Sequence, residues 1–188
     1  MRFRCLKRGF CCRRYWIPVT HLDIARISSY LGVDAAEVVD LKPVRIYGSY
    51  PQIPTVLVDG EPQYLALRDR EDGSCILLDP SSGKCAVHDV KPLVCRFYPF
   101  TYRLEGGEVR VVVAEGAIGS CPGLVDDDAP IPQRVVEEVR RLAERHMFEI
   151  ALWRAACIEW NRGGGGSREQ FLEFLRSLIE RDRVFAEA

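Results

Sequence analysis

Three cysteines, Cys75, Cys85 and Cys95, recur at equal intervals, each beside a turn-forming or proline-containing segment that can aim a thiol inward. No other feature constrains the fold as tightly, because a site made of thiolates from separate loops must bring those loops together. Four more cysteines fall in loop contexts: Cys5, Cys11 and Cys12 around Gly9, and Cys121 within Ile118-Gly119-Ser120-Cys121-Pro122-Gly123. Neighbouring Cys11 and Cys12 cannot point the same way on an extended backbone, so a turn is expected there. Cys157 lies on the apolar face of a helical pattern, where a free cysteine reads as a small core residue.

Soft thiolates suit zinc or iron–sulfur clusters, both of which usually take four protein ligands, whereas magnesium or calcium requires oxygen donors. The chain shows neither the apolar core of a signal peptide nor an apolar run long enough for a membrane span. It therefore reads as cytoplasmic, and its eight cysteines as metal ligands more than a disulfide frame. With 188 residues, 47% hydrophobic and 28% charged, it can bury one ordinary core, or a core domain with a helical appendage. A formal net charge of −1 gives no global attraction to nucleic acid or anionic lipid. Only the acid-free opening with Arg2, Arg4, Lys7, Arg8, Arg13 and Arg14 offers a local phosphate-binding patch, so nucleic acid is not expected elsewhere; a protein partner is left open.

Thr20 and Asp23 form a capping pair for a helix through Leu22, Ile24, Ile27 and Leu31 that ends at Gly32, and Asp34 with Glu37 repeats the signal for a shorter helix to about Val39. Residues 42–67 then turn to short β-rich segments, with Asp59-Gly60 joining strands 55–58 and 63–67 in a hairpin. Turns at Asp72-Gly73 and Ser82-Gly83 place Cys75 and Cys85 at the starts of strands 75–78 and 85–88. A second hairpin joins 101–104 to 109–114 through Glu105-Gly106-Gly107-Glu108. Asp126-Asp127-Asp128 and Pro130 and Pro132 precede a long helix over 133–161, with Val135, Val139, Leu142, His146, Ile150, Trp153, Cys157 and Trp160 on one face. After Gly163–Gly166, Ser167 and Gln170 cap a last helix carrying Phe171, Phe174, Leu175 and Leu178 inward. The prediction is an α+β protein: a small antiparallel sheet with cysteine-bearing loops and short helices, plus a C-terminal antiparallel helix pair. Residues 1–125 would form the metal-binding domain and residues 126–188 a helical region packed on it.

The cysteines and their neighbours resemble the YkgJ-type cysteine-cluster family, the CxxCxxCC domain described as zinc- or iron-chelating. Cys5, Gly9, Cys11 and Cys12 match its opening; Cys75, Gly83, Cys85, Pro92, Cys95, Arg96, Tyr98, Pro99 and Phe100 match its central run; Cys121-Pro122 matches its last element. The resemblance covers about residues 3–123. It implies that Cys5, Cys11, Cys12, Cys75, Cys85, Cys95 and Cys121 are metal ligands. Two positions depart from the pattern: Arg8 stands where the family has a second cysteine, and Lys91 where arginine is usual. The cysteine pattern is also similar to a region of flagellin lysine methylases, a distant link to a protein-modifying enzyme, although function does not travel reliably with a domain.

Arg96, beside Cys95, can donate to cluster sulfur or an anionic cofactor group, or pair with an acid. Phe97, Tyr98 and Phe100 read as a hydrophobic wall that excludes water. His88 reads as a strand residue before a ligand, His21 as exposed on the first turn of its helix, and His146 as a core histidine. Three readings follow. A cluster-binding protein would hold an iron–sulfur centre, 4Fe–4S or similar, for redox, sensing or another reaction. A structural zinc protein would bind a macromolecular partner. A metal-dependent enzyme has no nucleotide fingerprint, P-loop or nucleophilic triad to support it. Iron–sulfur is favoured because paired C-x-x-C zinc knuckles are missing and the thiols come from widely separated loops.

Overall fold

Periodicity switches from two to helical along this chain, and the computed structural model, which describes residues 1–187, follows that switch. In order it forms β1 (Arg2–Phe3), a 3-10 turn at Cys11–Arg13, α1 (His21–Leu31), α2 (Ala35–Val38), β2 (Val39–Pro43) and α3 (Val44–Tyr47). Then come β3 (Val56–Val58), β4 (Glu61–Leu67), α4 (Leu93–Phe97), β5 (Phe100–Glu105), β6 (Glu108–Val113), β7 (Leu124–Val125), α5 (Gln133–Arg162), α6 (Arg168–Arg181) and α7 (Arg183–Glu187). The fold is α+β. Its strands pair antiparallel in three small sheets, β1 with β7, β2-β4-β3, and β5 with β6.

Local chemistry explains the boundaries. The Thr20 side chain accepts from the Asp23 amide while the Asp23 carboxylate accepts from the Thr20 amide, and Gly32 closes α1 in a left-handed conformation at φ 68°. Asp59 and Gly60 hold φ of 51° and 79°, the pair of positive angles that a two-residue hairpin needs to match strand twist. The open edge of β3 is covered: Trp160 Nε1 donates to Leu57 O at 2.8 Å, and Asn161 bonds both Leu57 N and Thr55 O.

Two cores result. One packs Ile24 and Ile27 of α1 and Val39, Val56, Val58, Leu65 and Leu67 of the three-stranded sheet against Trp153 and Cys157 of α5 and Phe171, Leu175 and Leu178 of α6. The other joins Leu93 and Phe97 of α4, Phe100 and Leu124 to Val139 and Leu142 at the start of α5. The long helix thus runs through both, and residues from either side of position 125 share each core. Each fully buried leucine or phenylalanine contributes about 1.5–3 kcal/mol.

The structure differs from expectation in several places, among them helix α3 in the segment read as β-rich and the added helix α7. Residues 75–78 and 85–88 are not strands but form isolated bridges, Asp69 with Cys75 and Leu78 with Cys85. Side chains take the place of a ladder: Arg70 donates to Ile76 O and Leu78 O, and the Asp79 carboxylate accepts from Ser81 and Ser82. The segment around Cys95, read as a loop, is the single-turn helix α4, too short to show a period. His21 is fully buried, not exposed; Nε2 lies 3.1 Å from Asp182 Oδ2 and the ring packs on Trp153.

That burial makes stability sensitive to acid. Burial lowers the pKa of His21 below 6.5, more than Asp182 raises it, and burial lowers that of His146 as well. Below about pH 6.5 the unfolded chain therefore binds more protons than the folded one, and stability falls by at most about 1.4 kcal/mol per pH unit per histidine. Urea unfolding is expected to show a lower midpoint at pH 5.5 than at pH 7.5, with a flatter dependence in His21→Gln. A midpoint that rises on acidification would contradict this account.

Candidate metal centre

Three loops and one short helix carry the sequence-identified cysteines, and backbone contacts tie them together. Cys75 N donates to Cys12 O at 2.7 Å, joining the N-terminal loop to the central one. Arg13 Nη1 donates to Arg8 O and Gly9 O, rounding the turn that presents Cys11 and Cys12. Arg4 N donates to Gly123 O and Cys121 N to Ala117 O, which brings the Cys121 loop alongside Cys5. On α4, Cys95 N donates to Pro92 O, and Leu93 N donates to the carboxylate of Asp23 on α1.

Gly9 lets the N-terminal and central loops approach. It holds φ +61°, and a Cβ there would lie 2.3 Å from Leu78 Cδ1 and 2.8 Å from Gly83 O. Gly9→Ala thus combines left-handed strain with a backbone clash, costing about 2–4 kcal/mol. We expect it to weaken metal retention as well as lower the melting temperature; an alanine variant that melts and loads like the parent would contradict the close approach.

Electrostatics define which thiols share a neighbourhood. A hydrogen bond between the Cys11 and Cys12 side chains lowers the Cys11 pKa to about 6 and raises that of Cys12. Cys12 is also raised by the charges of Cys75 and Cys95. Burial pushes Cys75 to about 11, with Cys85 adding to the rise, and burial raises Cys85 itself, with Cys11 adding. Burial pushes Cys95 well above the usual thiol value, and Cys11 and Cys75 push it further. Cys11, Cys12, Cys75, Cys85 and Cys95 are thus each coupled to at least one other of the five. Cys121 stands at their edge, raised by burial and then by Cys11 and Cys5, while Cys5 is exposed. Cys157 is elsewhere, 3% exposed in the core of α5 and pushed to about 12 by burial.

The donor set fits a soft cation. It consists of one thiol, Cys11, that readily ionises and four, Cys12, Cys75, Cys85 and Cys95, whose protons are held more tightly than usual, and a bound metal would replace those protons with its own charge. A buried, unpartnered Tyr98 hydroxyl also lies within the field of Cys11 and Cys121, and its ring packs on Tyr15 at 5.5 Å. Among the described residues no three Cys, His, Asp or Glu side chains already stand as a closed ligand set. Drawing the thiols together would therefore accompany binding, as metal binding coupled to folding requires.

The remaining candidates are placed as follows. Arg96 is exposed on α4; its amide donates to Pro92 O at 3.1 Å, while its side chain makes no hydrogen bond or ion pair among the described residues. Two cations act on the thiols: Lys91 helps lower Cys11 and opposes the rise of Cys85 and Cys95, and Arg70 opposes that of Cys75; in the sequence Lys91 registers only as a substitute for arginine. His88 is partly exposed, with Nδ1 3.6 Å from Asp89 and a buried, unpartnered Nε2. Phe97 and Phe100 enter the second core, so the aromatic wall is divided and only Tyr98 faces the thiols. His146 is partly buried and bonded to Tyr102 at 3.0 Å. Asp23 was legible as a helix cap, but its bond to the helix of Cys95 was not.

Comparison with known proteins agrees with this donor set. A protein of Methanocaldococcus jannaschii, "Uncharacterized protein MJ0661", is 30% identical over 129 residues, which cover 69% of this chain; the matched region spans 62% of the relative's length. No solved structure matches the chain. The family model for CxxCxxCC, described as "Putative zinc- or iron-chelating domain", matches residues 4–115, all the cysteine loops except that of Cys121. With more than half of its length matched, the chain belongs to the CxxCxxCC family of zinc- or iron-chelating domains.

Proposed function

We propose that Cys11, Cys12, Cys75, Cys85 and Cys95 hold an iron–sulfur cluster of 4Fe–4S type, with Cys121 and Cys5 at its rim, for redox, sensing or a reaction at that centre. One observation carries the reading: five thiols, more than the four that a single zinc ion takes, perturb one another's protonation, and they come from separate segments with no paired knuckle. A bound cluster would supply one-electron exchange. The thiols would hold it, Lys91 would offset part of their charge, and Tyr98, whose hydroxyl pKa is raised by burial and further by Cys121 and Cys11, would help exclude water. Arg96, exposed beside Cys95, is available to an anionic group at the mouth.

A structural zinc site is the second reading, supported by the isolated bridges that hold residues 69–85, since a loop region with so little ladder gains most from a staple. All eight cysteines are free thiols, available to a metal. Among the described residues no helix is long and apolar enough to cross a membrane. Residues 1–125 are read as the metal-binding part and 126–188 as helices packed on it. Anaerobic purification followed by iron, zinc and acid-labile sulfide analysis tests the assignment. A brown protein containing iron and sulfide supports the cluster; a colourless protein loaded with zinc replaces it with the second reading.

A further inference from the structure

Helix α4 begins at Leu93 behind Pro92, which has no side chain able to cap it, so its first amide needs an acceptor from elsewhere. Asp23 supplies one. It is 1% exposed on α1, and its two oxygens serve different partners. Oδ2 accepts from Thr20 N at 3.1 Å and lies 3.3 Å from Thr20 Oγ1, completing the α1 capping box. Oδ1 accepts from Leu93 N at 3.1 Å and from Arg26 Nη2 at 2.7 Å. Arg26 in turn donates to both oxygens of Glu149 on α5, each at 2.8 Å, and Arg145 holds the same carboxylate. The residue that starts α1 therefore also holds the helix of Cys95 and connects it to the long helix.

We propose that Asp23 is a positioning residue for the metal centre: through the Leu93 amide it fixes α4 so that the Cys95 thiol faces the other cysteines, and through Arg26 and Glu149 it links that placement to the packing of α5. The link to metal rests on the reading of Cys95 as a ligand. A carboxylate is needed because two backbone amides on different elements are served at once. Asparagine has a single acceptor oxygen, which turns toward the two donors Leu93 N and Arg26 and leaves Thr20 N without one.

The test begins with metal-free protein, where Cys95 alkylation by iodoacetamide and amide exchange at Leu93 and Thr20 are followed residue by residue. In Asp23→Ala, Leu93 exchange and Cys95 alkylation should each rise about tenfold, the size expected for loss of one buried hydrogen bond. Cys75 and Cys85 should keep their parental rates. Asp23→Asn should hold Leu93 and Cys95 near parental rates while Thr20 exchange rises. In protein loaded with iron or zinc, Asp23→Ala should also release metal to a chelator about tenfold faster, with Asp23→Asn restoring retention. Unchanged Leu93 and Cys95 in folded Asp23→Ala overturns the proposal, as does an equal rise at all three cysteines. If Asp23→Ala does not fold, Asp23→Asn decides: Cys95 alkylation must follow Leu93 exchange, both near parental or both raised, and a change in one without the other would overturn it. A parent that binds neither iron nor zinc would sink the metal reading alone, because the metal-free readouts stand without it.

Discussion

Replacing Cys95 by serine is expected to abolish tight metal binding and to lower the stability of the loaded protein by several kcal/mol. Cys95 lies within the fields of Cys11, Cys12 and Cys75, and a serine hydroxyl is a poor ligand for the soft cation that this thiol set fits. Metal that binds only the folded state adds stability by mass action, about 4 kcal/mol when its free concentration is a thousand times its dissociation constant. The effect must therefore depend on metal. With chelator present, Cys95→Ser and the parent should unfold at similar denaturant concentrations, because serine is nearly the size of cysteine and leaves little cavity. Cys157→Ser provides the contrast: a hydroxyl placed in the α5 core should destabilise the protein equally with and without metal. A Cys95→Ser protein with parental metal content and melting temperature would remove this cysteine from the site.

Glu149→Ala is the other change with a large expected effect. Glu149 is 1% exposed, and it neutralises Arg26, itself largely buried, together with Arg145. Burial works to raise the Glu149 pKa, but its bonds to Arg26 and Arg145 outweigh that and hold it below 4.5, so it is ionised in the folded state at neutral pH. Alanine leaves the Arg26 guanidinium facing Asp23 alone and Arg145 without its partner, and breaking a buried pair in this way costs about 3–5 kcal/mol. Because the native pKa is lowered, this stability is present above the ordinary carboxylate range and is lost as pH falls through the native value. Glu149→Gln keeps the shape and some of the bonds and should cost less. Denaturant unfolding in chelator isolates the effect from metal; a loss below about 1 kcal/mol, as for a surface pair, would contradict the weight placed on this network.

Features that depend on neighbouring residues were legible in the sequence. The Thr20–Asp23 and Ser167–Gln170 capping boxes, the Asp59-Gly60 turn and the apolar face of α5 are all written within a few residues of one another. What escaped depends on partners far along the chain. His21 is buried because α5 and α6 cover the start of α1, so Trp153 and Asp182 decide its environment. Helix α4 is held by Asp23, seventy positions away, and five residues give no periodic signal. The strands expected at residues 75–78 and 85–88 were displaced by side-chain bonds from Arg70 and Asp79, an alternative that alternation of apolar residues does not reveal. For the site, the cysteine spacing pointed to thiolate chemistry, but the electrostatic coupling of Cys95 to Cys11 and Cys75, the exposure of Cys5 and the action of Lys91 on the thiols are properties of the fold.

X-ray absorption at the metal edge of the anaerobically loaded protein tests the central claim most directly, because it reports which atoms surround the metal. A first shell made of sulfur alone, at about 2.3 Å, is the predicted result for thiolates drawn from the three cysteine loops. A shell dominated by nitrogen or oxygen would contradict the account.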